Sequence, residues 1–159
     1  MLTLYVSHIR PIIDYGSSVW NVGYIGDMRR LESIQRRWTR EIVDVRGMDY
    51  GSRLKTLGLH SVFGRLLRAD LIKVWKSFHC LVGVGLSNLF ERARDNRTRG
   101  HSFKLSVPRL HTDGFRRSFG VRCVAEWNSL PGDVVESNSL QTFKSSLAFC
   151  LGDRLYEFR

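Results

Sequence analysis

The chain has 159 residues, 43% of them hydrophobic and 25% charged, a length and balance that suit one ordinary domain or two small lobes and argue against global disorder. Its 25 Lys and Arg against 15 Asp and Glu give a formal net charge of +10, which points to polyanionic partners, nucleic acid first and an anionic membrane surface second. No basic-led secretory signal opens the chain, no apolar run approaches the roughly 20 residues of a membrane span, and Cys80, Cys123 and Cys150 are too few and too scattered for a disulfide framework, so an intracellular setting, nuclear or cytoplasmic, is expected.

The N-terminal stretch is ambiguous. Met1 to Ile9 reads as helix, and Pro11 interrupts or kinks it before Ile12 to Trp20. The clearest helix follows, from Asp27 as cap to Val45. Met28, Leu31, Ile34, Trp38, Ile42 and Val45 fall three or four apart on one face, Arg29, Arg30, Arg36, Arg37 and Arg40 lie around the rest, and Gly47 stops it. Ser52 to Leu57 reads as a helical turn. Ser61 then caps a second long helix with a wide apolar stripe (Phe63, Leu66, Leu67, Leu71, Val74, Trp75, Phe78, Val82), ended by Gly83 and Gly85. Gly64 in its first turn weakens it by about 1 kcal/mol relative to Ala.

Beyond this point the composition turns basic. Phe103, Leu105 and Val107 alternate with Ser102, Lys104 and Ser106, which predicts a short half-buried strand. A third helix is predicted over Asp113 to Asn128, with Phe115, Phe119, Cys123 and Trp127 four apart. Pro131-Gly132 makes a turn, and Ser139 opens a last helix carrying Leu140, Phe143, Leu147 and Leu151. The expected fold is mainly α. A bundle-like helical lobe over 1–86 joins a small basic α+β lobe over 87–159 with one or two short strands, or the two form one continuous domain.

Charge is uneven along the chain. From Arg92 to Arg122 there are nine basic residues against Asp95 and Asp113, whereas the tail beyond is net acidic. Arg97, Arg99, His101 and Lys104, with Arg109, Arg116 and Arg117 after them, therefore form the first candidate surface, because guanidinium forks grip phosphate oxygens in a salt-dependent way. Arg36, Arg37 and Arg40 form the second. Glu32 stands four residues before Arg36 and Glu41 four after Arg37, so surface ion pairs are an alternative reading of that helix. Trp20, Trp38, Trp75 and Trp127 all occupy apolar faces, which favours core packing over stacking on bases.

Catalytic signatures are missing. There is no phosphate-cradling glycine loop, no HExxH and no nucleophile elbow, and no adjacent pair of aspartates serves two-metal chemistry. His79-Cys80 reads as a structural pair, and Cys and His do not reach zinc-binding spacing. No catalytic residue, metal ligand or cofactor is therefore expected.

The order of the blocks "RPIIDYGSSVWN", "LESIQRRWTREI", "RLKTLGLHS", "RADLIKVWKSFH", "NRTRGHSFKL", "EWNSLP" and "SLQTFKSSL" resembles the C-terminal end of LINE-type non-LTR retrotransposon polyproteins, the jockey-like reverse transcriptases of animals. The resemblance covers about Tyr5 to Leu151. It implies a polymerase thumb and the segment beyond it, without the catalytic palm or the endonuclease. Gln35, Arg36 and Arg37 would belong to the thumb, Arg97 to His101 to the later region, and Met1 would open a separate short reading frame or a truncated copy. The expected function is non-catalytic binding of RNA, DNA or an RNA–DNA hybrid through phosphates, with the rest of a reverse transcriptase as a further partner. The alternatives are a protein-interaction or self-association module and, more weakly, a membrane-surface binder through the basic helix. The oligomeric state is left open.

Overall fold

The computed structural model describes residues 2–79, 81, 89–93, 101–108 and 112–158, and across these the chain is mainly helical with no strand. The described residues pack as two units, one formed by Met1–Leu66 with Asp153–Arg159, the other by Leu67–Gly152.

The first unit begins with α1 (Leu2–Leu4), a single π turn (Tyr5–Ile9) and α2 (Arg10–Asp14). The π turn closes through Arg10 N–H donating to Tyr5 O, just before Pro11, which has no N–H to continue a regular ladder. Gly16 turns the chain with φ 63° into α3 (Ser17–Trp20). α4 (Ile25–Arg40) starts three residues earlier than an Asp27 cap predicts and ends sooner. Tyr24 stands at its N-cap without a side-chain capping bond, Asp27 sits in the first turn, and Val43–Val45 is a separate 3₁₀ turn. α5 (Tyr50–Thr56) is capped by Asp49, whose carboxylate accepts from Ser52 N–H at 3.2 Å.

α4 turns a different face inward from the one its apolar spacing predicts. Met28, Glu32, Gln35 and Thr39 are its buried residues, while Ile34 is 39% exposed and Leu31 and Trp38 are half-buried. Apolar packing still surrounds this seam: Ile13, Met28, Val62 and Leu66 form one cluster, and Tyr5, Leu54 and Leu59 another.

α6 (Val62–Phe78) begins in the first unit and shows how its N-terminus is satisfied. Ser61 Oγ accepts from Gly64 N–H at 3.0 Å, as its capping position predicts, and Glu32 Oε2 accepts from Val62 N–H at 2.9 Å and Phe63 N–H at 3.4 Å. Three of the end's unpaired donors are thereby accounted for, with a carboxylate at the positive end of the helix. The C-terminal 3₁₀ turn (Gly152–Leu155) carries the chain back onto this same turn, where Ser61 N–H donates to Leu155 O at 2.8 Å.

In the second unit α6 continues beside α7 (Asp113–Arg116), α8 (Phe119–Asn128), α9 (Gly132–Val135) and α10 (Leu140–Leu151). Ser139 caps α10 as expected, its Oγ accepting from Thr142 N–H at 3.1 Å. The single helix predicted over Asp113 to Asn128 is broken at Arg117 and Ser118. Ser118 is extended, and its hydroxyl donates to Phe115 O at 2.7 Å. Phe119, Cys123 and Trp127 stay buried beyond the break, while Phe115 falls off the stripe and is 47% exposed. Trp75 and Trp127 are core residues, 2% and 1% exposed, ringed by Phe78 and Phe143 at centroid distances of 5.4–6.2 Å.

The strand expected over Phe103 to Val107 amounts to one antiparallel bridge between Arg92 and Leu105. Ala93 N–H donates to Lys104 O at 2.9 Å and Ser106 N–H to Glu91 O at 2.8 Å. On its other edge Leu105 meets no second strand among the described residues. The Asn128 side-chain amide takes that place, accepting from Leu105 N–H at 2.8 Å and donating to Leu105 O at 2.9 Å. Both backbone groups are satisfied by one side chain, so no further ladder is needed there.

Candidate functional site

The basic face of α4 is built by helical spacing. Arg29, Ser33, Arg36 and Arg40 recur at i, i+4, i+7 and i+11, with Arg30 and Arg37 on the adjoining stripe, and all of these residues are exposed. At 1.5 Å rise per residue, Arg29 to Arg36 spans about 10 Å along the axis and Arg36 to Arg40 about 6 Å. Among the described residues the one ion pair on this face joins Arg30 to Asp27 at 3.8 Å, across two well-exposed side chains. Arg29, Arg36, Arg37 and Arg40 have no carboxylate within ion-pair distance among the described residues.

The reason lies under the helix. Glu32, the residue placed to pair with Arg36, is 2% exposed and turned inward. Its Oε1 accepts from the Tyr50 hydroxyl and its Oε2 from the start of α6. Gln35 is fully buried beside it. Gln35 Nε2 donates to Tyr50 Oη at 3.0 Å and His60 O at 2.9 Å, and Oε1 accepts from Tyr5 Oη at 2.6 Å and Arg65 Nη1 at 2.9 Å. Arg65 Nε reaches Asp14 Oδ1 at 2.7 Å and Asp14 also pairs with Arg10 at 3.3 Å. Glu32 and Asp14 are thus committed within the unit.

Burial pushes the Glu32 carboxyl above its ordinary range, against the opposing pull of Tyr50, the α6 amides and Arg65. Burial, and then the charge of Glu32, push the Tyr50 phenol up, and burial raises Tyr5. The two tyrosines therefore remain hydroxyl donors at neutral pH. Arg36 is fixed from the other side, its guanidinium carbon 4.6 Å from the Tyr50 ring centroid.

The other predicted positions are distributed differently. Arg97, Arg99 and Arg109 lie outside the described residues. His101 is 5% exposed, its Nε2–H donating to Trp127 O at 3.0 Å and its ring edge-on to the indole at 5.9 Å, so it is a packing group and not a surface one. Lys104 is half-buried. Arg117 is half-buried and 3.7 Å from Asp113, while Arg116 is exposed on α7. The structure therefore brings Arg36, Arg37 and Arg40 together and adds Arg29 and Ser33, whose signal in the sequence is that Arg29 stands seven residues before Arg36 and Ser33 seven before Arg40.

Among the described residues three clefts border α4, one of them about 370 Å³ between Ile34, Arg37, Trp38 and Glu41, and the remaining two differ in character. One, of about 250 Å³, is lined by Arg29, Glu32, Ser33, Arg36 and Phe158. The other is apolar, about 390 Å³, with Ile12, Trp20, Val22, Tyr24 and Leu31 among its walls. Near it Ile12, Tyr15 and Val19 are 77%, 86% and 84% exposed.

Groups suited to covalent or metal chemistry are few. Burial pushes the Cys123 thiol up to about 12, which keeps it protonated, and Asp70 is raised by burial in spite of Arg122 beside it. His79 stacks on Trp75 at 3.7 Å and Cys80 lies outside the described residues. Among the described residues there is no group of three or more His, Cys, Asp or Glu placed to hold a metal ion, and no helix long and apolar enough to cross a membrane. Comparison of the chain with known protein families, characterised proteins and solved structures finds no match.

Proposed function

We propose that this chain is a non-catalytic nucleic-acid-binding fragment of reverse-transcriptase type, the thumb and post-thumb region of a LINE-type non-LTR retrotransposon enzyme. It would bind RNA or an RNA–DNA duplex inside the cell, mainly through phosphates and with little sequence preference. The observation that carries the reading is the row of exposed arginines on α4, of which Arg29, Arg36, Arg37 and Arg40 have no carboxylate partner among the described residues, Glu32 beside Arg36 being buried. Guanidinium groups in such a row meet successive phosphates and release counterions. The basic segment containing Arg97, Arg99, Lys104 and Arg109 extends the proposal on the strength of its charge alone.

Titrating salt against binding to an RNA hairpin, a DNA duplex and an RNA–DNA hybrid tests it. Affinity is expected to fall steeply with salt. The triple variant Arg36→Ala, Arg37→Ala, Arg40→Ala should weaken all three complexes and lower the log–log slope by about 3. An unchanged slope removes α4 from the interface, and no binding at any salt rejects the function.

The second reading is a protein-interaction or self-association module. The apolar cleft with exposed Ile12 in its wall, together with exposed Tyr15 and Val19 in the same stretch of sequence, supports it. A salt-insensitive oligomer that ignores nucleic acid would select this reading over the first.

A further inference from the structure

The cleft beside Arg29 and Arg36 has walls of two unlike kinds, and the α4 row by itself does not require the second kind. Along one side stand the two guanidinium groups, Arg36 held over Tyr50 at 4.6 Å and Arg29 without an ion pair among the described residues. Between them Ser33 Oγ–H donates to Arg30 O at 2.6 Å, which leaves the oxygen's lone pairs to accept. Phe158, far from α4 in sequence, and the buried Glu32 complete the lining.

Phe158 is placed there by a strap of contacts within the same unit. Ser61 N–H donates to Leu155 O at 2.8 Å, Ser61 Oγ–H to Glu157 O at 3.0 Å, and Lys55 Nζ to Asp153 Oδ1 at 2.7 Å. The Tyr156 ring meets His60 edge-on at 5.6 Å, and Phe158 itself packs against the cluster of Ile13, Met28, Val62 and Leu66. An aromatic residue one position from the C-terminus is thus docked beside the basic helix, half-buried, with part of it lining the cleft.

We infer that this cleft is a subsite for one unpaired nucleotide, its phosphate between Arg29 and Arg36, its base against the face of Phe158, and a ribose or base donor to Ser33. The inference rests on the nucleic-acid reading above and narrows it from duplex alone to a duplex with an adjoining single strand. A free phosphate has no use for the ring. A base inside a duplex is stacked on both faces and offers only its edges, whereas an unpaired base presents a face to an aromatic side chain.

The test compares three probes by fluorescence anisotropy at one salt concentration: a blunt RNA–DNA duplex, the same duplex with a short single-stranded overhang, and the overhang duplex made abasic. The abasic strand keeps every phosphate and loses only the bases. The wild-type chain is expected to bind the overhang about tenfold more tightly than its abasic form. Phe158→Leu, which keeps apolar contact with the core, should erase that difference, and Phe158→Trp should restore it. Arg29→Ala should weaken the overhang complex more than the blunt one. Equal affinity for normal and abasic overhangs, with salt-dependent duplex binding intact, overturns the subsite and leaves the proposed function standing. Absence of binding to all three probes overturns both.

Discussion

Gly64 faces the backbone of Leu155 at a separation no other residue could occupy. A Cβ built on Gly64 would lie 2.7 Å from both Leu155 Cα and Leu155 O. A helix interior ordinarily prefers Ala over Gly by about 1 kcal/mol. Here the close approach of the C-terminal turn outweighs that preference, because the obstructing atoms are backbone and cannot rotate away. Gly64→Ala is therefore expected to destabilise the protein by about 1–3 kcal/mol, read as a lower midpoint in urea. A variant more stable than the parent would contradict this packing.

Glu32 joins α4, Tyr50 and the first turn of α6, so removing it leaves several buried donors unpaired. Glu32→Ala is expected to cost about 2–4 kcal/mol. Glu32→Gln should cost less, since the amide oxygen still accepts from Val62 N–H and the amide nitrogen can donate to Tyr50 Oη. The two also separate by pH. Folded Glu32 holds its proton more tightly than the unfolded chain, whose value is near 4.5. Between that value and the raised one the folded state carries the extra proton, so this group's contribution to stability increases as pH falls through the interval and decreases as pH rises. Urea midpoints measured across the acidic range should show a weaker trend of this sign in Glu32→Gln than in the parent, since Asp70, also raised by burial, keeps its own share. Parallel curves for the two proteins would reject the assignment.

Asp70 and Arg122 form a buried ion pair in the second unit, Nη2 to Oδ2 at 2.9 Å with side-chain exposures of 5% and 15%. Burial raises Asp70 more strongly than Arg122 lowers it, so desolvation exceeds attraction. Asp70→Ala alone, which leaves a buried guanidinium, is expected to cost about 3–5 kcal/mol. The double replacement Asp70→Leu with Arg122→Met should recover most of that loss. Thermal denaturation of the two variants checks the ordering, and equal loss in both would mean the site cannot repack.

Arg36 both faces solvent and covers the Tyr50 ring. Arg36→Lys keeps the charge and gives up the planar stack, with an expected stability loss of about 0.5–1 kcal/mol. The salt slope of nucleic-acid binding should stay unchanged, in contrast to Arg36→Ala. A changed slope with unchanged stability would invert the two roles assigned to this side chain.

The local signals in the sequence were those governed by neighbours along the chain. Ser61 and Ser139 cap the helices their positions predict, because a cap needs only the next three residues. Trp75 and Trp127 are in the core where their apolar stripes placed them. The tripeptide Gln35-Arg36-Arg37 shows where that legibility stops. Its basic character is plain, yet nothing local says that Gln35 turns inward with four partners drawn from Tyr5, Tyr50, His60 and Arg65 while the arginines turn out.

Sequence by itself determined a mainly helical, arginine-rich chain and the approximate span of its longer helices, since periodicity and composition act over a few residues. Tertiary structure decided which face of α4 is buried. Apolar spacing selected Leu31, Ile34 and Trp38, but a polar network assembled from residues up to 51 positions apart drew Glu32 and Gln35 inside instead. The same long-range pairing turned Glu32 away from Arg36, seated Phe158 beside the arginines, and let the Asn128 amide satisfy both backbone groups of Leu105. Buried donors and acceptors must find partners wherever the folded chain brings them, and that matching is not encoded in any short window.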